Sequence, residues 1–548
     1  MATVVSKATE DQKQESTQRS NNPRRVQIKD TTLLGVASFI FYIVVGLYLV
    51  LHLHYYSPDN GSRVANAYYV LFSRDPHLGA IGFIWNPLPS VFELPFVALH
   101  PIWPGLVSKG IAGIIVSAVF GSIGVVALVR ILAGFNVPKV WRISITIIFA
   151  LNPLVILYAA NGMSDLMLVS CILATYSGIL DFLYNASLRR LSAAAFWMAI
   201  AFGIRYEAVP FGAFIIGGMV IGLWGRVKHV QWAGIAVILG APLVFAGGIW
   251  LYFNWLIMKD PLYFLDSSYG NLAQTRTGTY VTHSTAMAEH SVVGTLLYVA
   301  HFTLLFWPID IGIVLTAFFV FGRLRDPRAP ILLGGMLGAI TLEIVFLYKG
   351  SLASWDRFFI SFIPDGILLC AFAFSKIAEH QKALYKHIIW FLAVLLFLSG
   401  DVGTFMALQT PALGRPDGYV VDAALAGRNL RNDNDMFATS APILAYLDDH
   451  PHLTVLADTY LTWPIVVRSP YLNQFVIASD YDFHSILYNP RGRVDAFLIP
   501  EPVGLGQLDA VNRAWPSMWA GHVSWAKLIM SFPGGYHFRL YAVTPAAP

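Results

Sequence analysis

Charge is what this sequence has least of. Only 12% of its 548 residues are Asp, Glu, Lys or Arg, whereas a soluble domain carries about 25%. Such a chain cannot coat a water-facing globule, and its 56% of hydrophobic residues belongs in a bilayer. Strong charge of one sign is also missing: the formal net charge is +4, and the basic residues are spread over short loops. That excludes a nucleic-acid footprint. Cysteine occurs twice, as Cys171 and Cys370, each inside an apolar stretch, which excludes a disulfide framework and a thiolate metal site. No Gly-rich phosphate loop follows a strand, so a nucleotide-sugar pocket of that kind is excluded as well. No internal repeat is present.

What is abundant is apolar runs. A spanning helix needs roughly 20 such residues, and runs of that kind lie near 32–53, 107–133, 140–160, 165–185, 191–206, 208–225, 230–257, 292–321, 329–348, 357–376 and 387–407. The expectation is an α-helical polytopic membrane protein of about eleven spans over 32–408. Residues 1–31 are polar, carry six Lys and Arg, and show no signal-peptide cleavage pattern, so they are expected to form a disordered cytoplasmic tail. With the N-terminus inside, the loops holding Arg130, Lys139 and Arg142, then Arg189 and Arg190, Arg226 and Lys228, Arg323, Arg325 and Arg328, and Lys376, Lys382 and Lys386 all face the cytoplasm. An odd number of spans then places the C-terminus outside, in a plasma membrane.

The outer face receives residues 54–106, the turn around 160–165, the loop 258–291, and everything after about 408. In the first of these, Val64–Phe72 reads as an amphipathic helix and Val91–Leu99 as a second helix at the interface. The loop 258–291 is long and polar and is expected to be a mobile element over a site. From about Pro411 charged residues return, and the apolar runs Leu453–Ala457, Phe475–Ala478 and Asp495–Ile499 alternate with helix-like stretches such as Pro442–Leu447. Residues 409–548 are therefore expected to form a soluble mixed α/β domain, with Asp458, Asp480 and Asp482 as solvated surface or turn residues.

Two outer-face carboxylates stand out. Asp59, in His54-Tyr-Tyr-Ser-Pro-Asp59-Asn-Gly-Ser-Arg63, follows the first span, and Asp165 follows Tyr158-Ala-Ala-Asn161-Gly-Met-Ser at the top of the fourth. Each is equally well placed to cap a helix. Arg205-Tyr206-Glu207 closes the fifth span on the same face, where charges are costly unless they pair or meet a cavity. Trp355-Asp356-Arg357-Phe358-Phe359 stands at the outer end of the tenth span, and Glu343 lies in an apolar run near the outer leaflet. Lys349, Arg276 and His283 read as ordinary solvated loop charges.

The stretch from Asp59 through Asn66-Ala-Tyr-Tyr to Phe83-Ile-Trp85-Asn-Pro87-Leu-Pro89, together with Asn152-Pro153, resembles the C-type (GT-C) superfamily of membrane glycosyltransferases, in particular the protein O-mannosyltransferase and aminoarabinose transferase group. The resemblance implies that Asp59 and Asp165 are the catalytic acids, with Asp59 as the base, and that both are the ligands if a divalent cation (Mg, Mn or Ca) is used. It implies substrate-binding roles for Arg63, Arg205, Glu207, Arg357, Glu343 and Asn161, with Arg357 and Arg205 on the lipid phosphate. One departure is plain: many relatives have two adjacent acids where this chain has Asp59-Asn60. The implied reaction moves a sugar from a polyprenyl-phosphate donor to a glycan, lipid or protein acceptor on the extracytoplasmic face, with inversion. The competing expectation is a transporter or flippase of a lipid-linked saccharide, with the same charges lining a path.

Overall fold

The computed structural model describes residues 28–226, 228–321, 326–410, 413–414, 417–430 and 440–545. Most of the expected tail 1–31, and Arg323 and Arg325, lie outside these residues. The first described helix begins at Ile28 and runs unbroken to Leu51, because no Pro interrupts a run that at ~1.5 Å per residue reaches across a bilayer core.

Among the described residues seven helices are long and apolar enough to cross a membrane alone, and two bent pairs raise the count to nine. The difference from the expected eleven lies in the runs 191–206 and 208–225. They fold as Leu188–Ile204 and Ala208–Leu223, with 17 and 16 residues, each roughly 25 Å long and thus shorter than the hydrocarbon core. Arg205-Tyr206-Glu207 ends the first and starts the second.

The two bends have local causes. Lys139–Leu151 and Pro153–Ala160 meet at 63°. Asn152 caps the second helix by accepting from the Leu154 and Val155 amides at 3.0 and 3.4 Å, and Pro153 occupies the first helical position, where its missing N–H costs nothing. The Asn152 amide also donates to Asp401 at 2.8 Å and Thr404 at 3.0 Å on the last span. The second bend, 106°, falls before Pro308.

After the last bundle helix, Ala383–Gln409, the chain builds a five-stranded sheet of order β2-β1-β3-β5-β4. Here β1 is Val455–Ala457, β2 Phe475–Ile477, β3 Ala496–Pro500, β4 Ala526–Phe532 and β5 Phe538–Val543. β2, β1 and β3 run parallel, and β5 and β4 are antiparallel additions. The three parallel strands are wholly buried, which explains why they read as continuous apolar runs rather than alternating ones.

This domain does not fold apart from the first outer loop. The loop helix Pro58–Phe72 contributes Val64, Ala65, Ala67, Tyr68 and Tyr69 to the same core as Val455, Ile477 and Leu498. Trp463, on the helix Thr459–Val466, lies so close over Gly61 that a Cβ there would stand 2.0 Å from the indole. Arg74, just past the loop helix, pairs with Asp480 at 3.1 Å and with Asp482. Asp480 is therefore not the solvated residue expected, whereas Asp482 is a part-exposed turn residue, as expected. Asp480 is buried in its ion pair. Asp458 is also buried; it caps Thr459–Val466 and accepts from Tyr269 Oη at 2.6 Å.

The loop 258–291 is likewise held rather than free. It forms the short helices Tyr263–Asp266, Asn271–Arg276 and His283–Ala288. Tyr269 between them is clasped by Asp458 and by Arg513, whose guanidinium donates to Tyr269 Oη at 2.9 Å.

Candidate active site

The loop helix starts at Pro58 rather than near Arg63, so Asp59 falls in its first turn and Ser57 takes the N-cap position. Asp59 caps nothing. Its carboxylate instead accepts from Arg357 Nη1 at 2.8 Å, and Arg357 is presented by the short turn Asp356–Phe359 just before the helix Phe362–Ala378. The Arg357 guanidinium lies 4.0 Å from the Trp355 ring centroid, close enough for a cation–π contact. Asp59 keeps 45% of its side-chain surface accessible although protein surrounds it, which places it on the wall of a cleft. Burial opposes its charge, but Arg357, Arg63 and Arg205 outweigh that and hold its carboxyl below the usual carboxylate range.

Asp165 is the first residue of Asp165–Asn185, with Ser164 at the cap. It too binds an arginine: Arg205 Nη1 donates to its carboxylate at 2.7 Å. Arg205 also binds Glu207, through Nε at 2.7 Å and through Nη2. This second cluster is more deeply buried, with only 2% of the Asp165 side chain exposed. Glu343 is buried beside this cluster, where the charges of Glu207 and Arg205 both reach it. Phe358 separates the two arginines, 5.4 Å from Arg357 and 5.8 Å from Arg205.

Arg63 is placed differently. Among the described residues it makes no ion pair, and its Nη1 is buried without a hydrogen-bond partner, while the charges of Asp59, Asp165 and Glu93 all reach it. An unengaged buried guanidinium between two acid–arginine pairs is ready for an anion. Arg276, His283 and Lys349, by contrast, are exposed, as expected of solvated charges.

Asn60, the neighbour of Asp59, points away from this cleft. Its Nδ2 donates to the Gly110 carbonyl at 3.0 Å. The side chain is wedged among Gly110, Gly113 and Gly162, where a Cβ on Gly113 would stand 1.9 Å from Oδ1. Gly162 has φ +79°, a conformation that favours glycine. Asn161 beside it uses Oδ1 to accept from the Met163 amide at 3.0 Å, leaving Nδ2 buried and unpartnered. The Asn161-Gly162 turn thus sets the height of Met163, whose sulfur meets Arg357 Nη1 at 3.4 Å.

Three acids were missed by sequence reasoning. Glu93, on the helix Leu88–Val97, is fully buried with both carboxylate oxygens unpartnered; burial pushes its carboxyl well above the usual range, and Arg63 only partly offsets this. A lone acid in an apolar helix was the available signal. Asp356 accepts from the Arg357 amide at 2.9 Å and hydrogen-bonds the carboxyl of Asp417, which in turn accepts from Tyr158 Oη at 2.5 Å. Burial raises the Asp417 carboxyl above its usual range. Asp417 follows the last span, and no local pattern announces it.

No protein-family model and no curated protein matches the sequence. Solved structures do: ArnT from Cupriavidus metallidurans in the apo state superposes with a TM-score of 0.51 at 13% identity, covering 93% of this chain and 97% of that one. The fold is ArnT-like. The same ArnT bound to undecaprenyl phosphate gives 0.44 at 13% identity over 94% of this chain and 98% of that one. The Archaeoglobus fulgidus oligosaccharyltransferase in its apo form gives 0.44 at 10% identity over 85% and 69%. The expected GT-C-like helical bundle with a C-terminal mixed domain is thus borne out at the level of the fold. The likeness to ArnT extends over nearly its whole length.

Proposed function

We propose that this protein is a membrane glycosyltransferase that moves a sugar from a polyprenyl-phosphate donor to a glycan, lipid or protein acceptor at the extracytoplasmic face, with inversion at the anomeric carbon. The observation that carries this reading is the accessible Asp59 carboxylate beside Arg357, with the unengaged Arg63 on the same helix. Group transfer of this kind needs a base at the acceptor hydroxyl and positive charge at the departing phosphate, and the cleft supplies both. ArnT has been solved bound to undecaprenyl phosphate, a lipid of the class that such a donor releases.

In the proposed reaction the acceptor hydroxyl oxygen attacks the anomeric carbon as Asp59 takes its proton, and the bond from that carbon to the phosphate oxygen breaks. Polyprenyl phosphate leaves with the electron pair, and Arg63 and Arg357 receive the charge as planar donors suited to phosphate. Asp165 and Glu207 hold Arg205, which lends its field to Asp59, and Glu343 closes that cluster. Asn161 and Met163 seat Arg357. Should a divalent cation take part, Asp59 and Asp165 would hold it, since Asp165 Oδ2 is buried with no hydrogen-bond partner; it would add positive charge at the phosphate. Among the described residues no group of three or more acids, histidines or cysteines suits a protein-held metal, so EDTA is expected to slow transfer only if donor phosphate completes the site.

The orientation is part of the proposal. Lys139–Asp30 and Lys376–Asp326 pairs mark the end of the bundle opposite the cleft, as the positive-inside rule requires of the cytoplasmic face. The deciding experiment supplies the purified protein, in nanodiscs with membrane acceptors, with polyprenyl-phospho-sugars and measures free polyprenyl phosphate. Asp59-dependent release supports transfer. Intact sugar-lipid crossing the bilayer without release would replace it with transport.

A further inference from the structure

The loop 258–291 and the C-terminal domain bring three tyrosines to the rim of the Asp59 cleft. Tyr280, from the loop, packs edge-on against Trp355 with ring centroids 5.1 Å apart, and Trp355 is the indole on which the Arg357 guanidinium rests at 4.0 Å. Tyr460 stands at the start of the helix Thr459–Val466, one turn before the Trp463 that covers Gly61, and Gly61 is two residues from Asp59. Tyr536 joins the same apolar cluster as Tyr280 and Tyr460. All three are half-buried, and among the described residues no hydrogen bond is made by any of their hydroxyls. The charge of Asp59 reaches both Tyr280 and Tyr460.

A fourth tyrosine shows that this arrangement is anchored. Tyr269 packs at a tilt against Tyr460, ring centroids 5.1 Å apart, but its hydroxyl is already taken by Asp458 and Arg513. It fixes Tyr460 and ties the loop to the domain. Tyr280, Tyr460 and Tyr536 therefore keep apolar ring faces and unused hydroxyls at a partly open site, next to the proposed base. That combination suits a ligand with alternating C–H faces and hydroxyls, because each ring packs while each Oη donates or accepts.

We propose that Tyr280, Tyr460 and Tyr536 form a saccharide-binding ledge above Asp59, completed only when the C-terminal domain and the loop 258–291 are docked together. The ledge rests on the transfer reading for its purpose but not for its chemistry. Its occupant is a sugar ring, belonging either to the lipid-linked donor or to a glycan acceptor, and the bare lipid phosphate does not touch it.

The test uses the full chain in nanodiscs and two probes. One arm compares the affinity for decaprenyl phosphate with that for decaprenyl-phospho-sugars. The other measures binding of a panel of soluble oligosaccharides. Tyr460→Phe and Tyr536→Phe keep the packing and remove one hydroxyl each, and are expected to weaken sugar-dependent binding about five-fold apiece. Loss in the first arm, with decaprenyl phosphate unaffected, assigns the ledge to the donor sugar; loss in the second assigns it to the acceptor. Unchanged sugar binding in both arms overturns the ledge, as does an equal loss for bare decaprenyl phosphate. Tyr280→Phe serves as a second variant if either domain substitution unfolds. Absence of Asp59-dependent release, with the tyrosine effects intact, would instead remove the transfer reading and leave the ledge standing.

Discussion

Asp59→Asn separates catalysis from architecture because the two acid–arginine pairs differ so much in burial. The Asp59 side chain is 45% accessible, and exposed pairs contribute about 0–1 kcal/mol, so the Asn variant should unfold almost where the parent does. Losing a general base costs about 10²- to 10⁴-fold in rate, or roughly 3–5.5 kcal/mol in the barrier. Asp165→Asn is the control. Only 2% of that side chain is exposed, and breaking a buried pair costs about 3–5 kcal/mol in stability. The assay pairs polyprenyl phosphate release from a polyprenyl-phospho-sugar with thermal unfolding in the same nanodiscs. Because the arginines hold the Asp59 carboxyl below its usual range, it stays ionised as pH falls through that range, and the parent's rate should decline only at still lower pH. The reasoning is refuted if Asp59→Asn keeps its rate within ten-fold, or if it destabilises as much as Asp165→Asn.

Arg63→Met should weaken decaprenyl phosphate binding about ten-fold or more while stability changes little, since no ion pair is lost; calorimetric titration reads both lipid affinity and its salt dependence. Arg205→Met strands Asp165 and Glu207 without their shared partner and should cost about 3–5 kcal/mol, with partial recovery when Asp165→Asn is added. Glu93→Gln should stabilise the protein. The folded state prefers Glu93 protonated, so the parent is most stable below the ordinary carboxyl pKa and loses stability as pH rises from there toward the raised folded value; the gain from Gln, read as a shift in melting temperature, should therefore be larger at neutral than at acidic pH. Asn60→Asp, which would place two acids side by side, should destabilise by about 1–3 kcal/mol or more, because a carboxylate cannot donate to the Gly110 carbonyl.

Much of the bundle was legible in one dimension because a bilayer imposes a simple local requirement: about 20 apolar residues per crossing. The Asn152-Pro153 break could be read from the same few residues that cause it. The count of spans stays open at two helices that are short by length and have Arg205-Tyr206-Glu207 between them. In the C-terminal domain the buried parallel strands were visible as apolar runs. The acids Asp458 and Asp480 were misjudged as solvated, since nothing near them in the chain names the Tyr269 and Arg74 that bind them.

By itself, then, the sequence determined that the chain lives in a membrane, where its long apolar helices lie, and that Asp59, Asp165, Arg205 and Arg357 stand at helix ends rather than inside them. Hydropathy and helix-end chemistry are local, and local properties survive in a string of letters. Only the tertiary structure decided which acid meets which arginine. Asp59 and Arg357 are 298 residues apart, and packing alone could show that neither aspartate is a cap, that Asn60 is a wedge among glycines, and that Arg63 is left without a partner. The same packing carried Tyr280, Tyr460 and Tyr536 to one rim, since the loop helix and the distant domain share a single core.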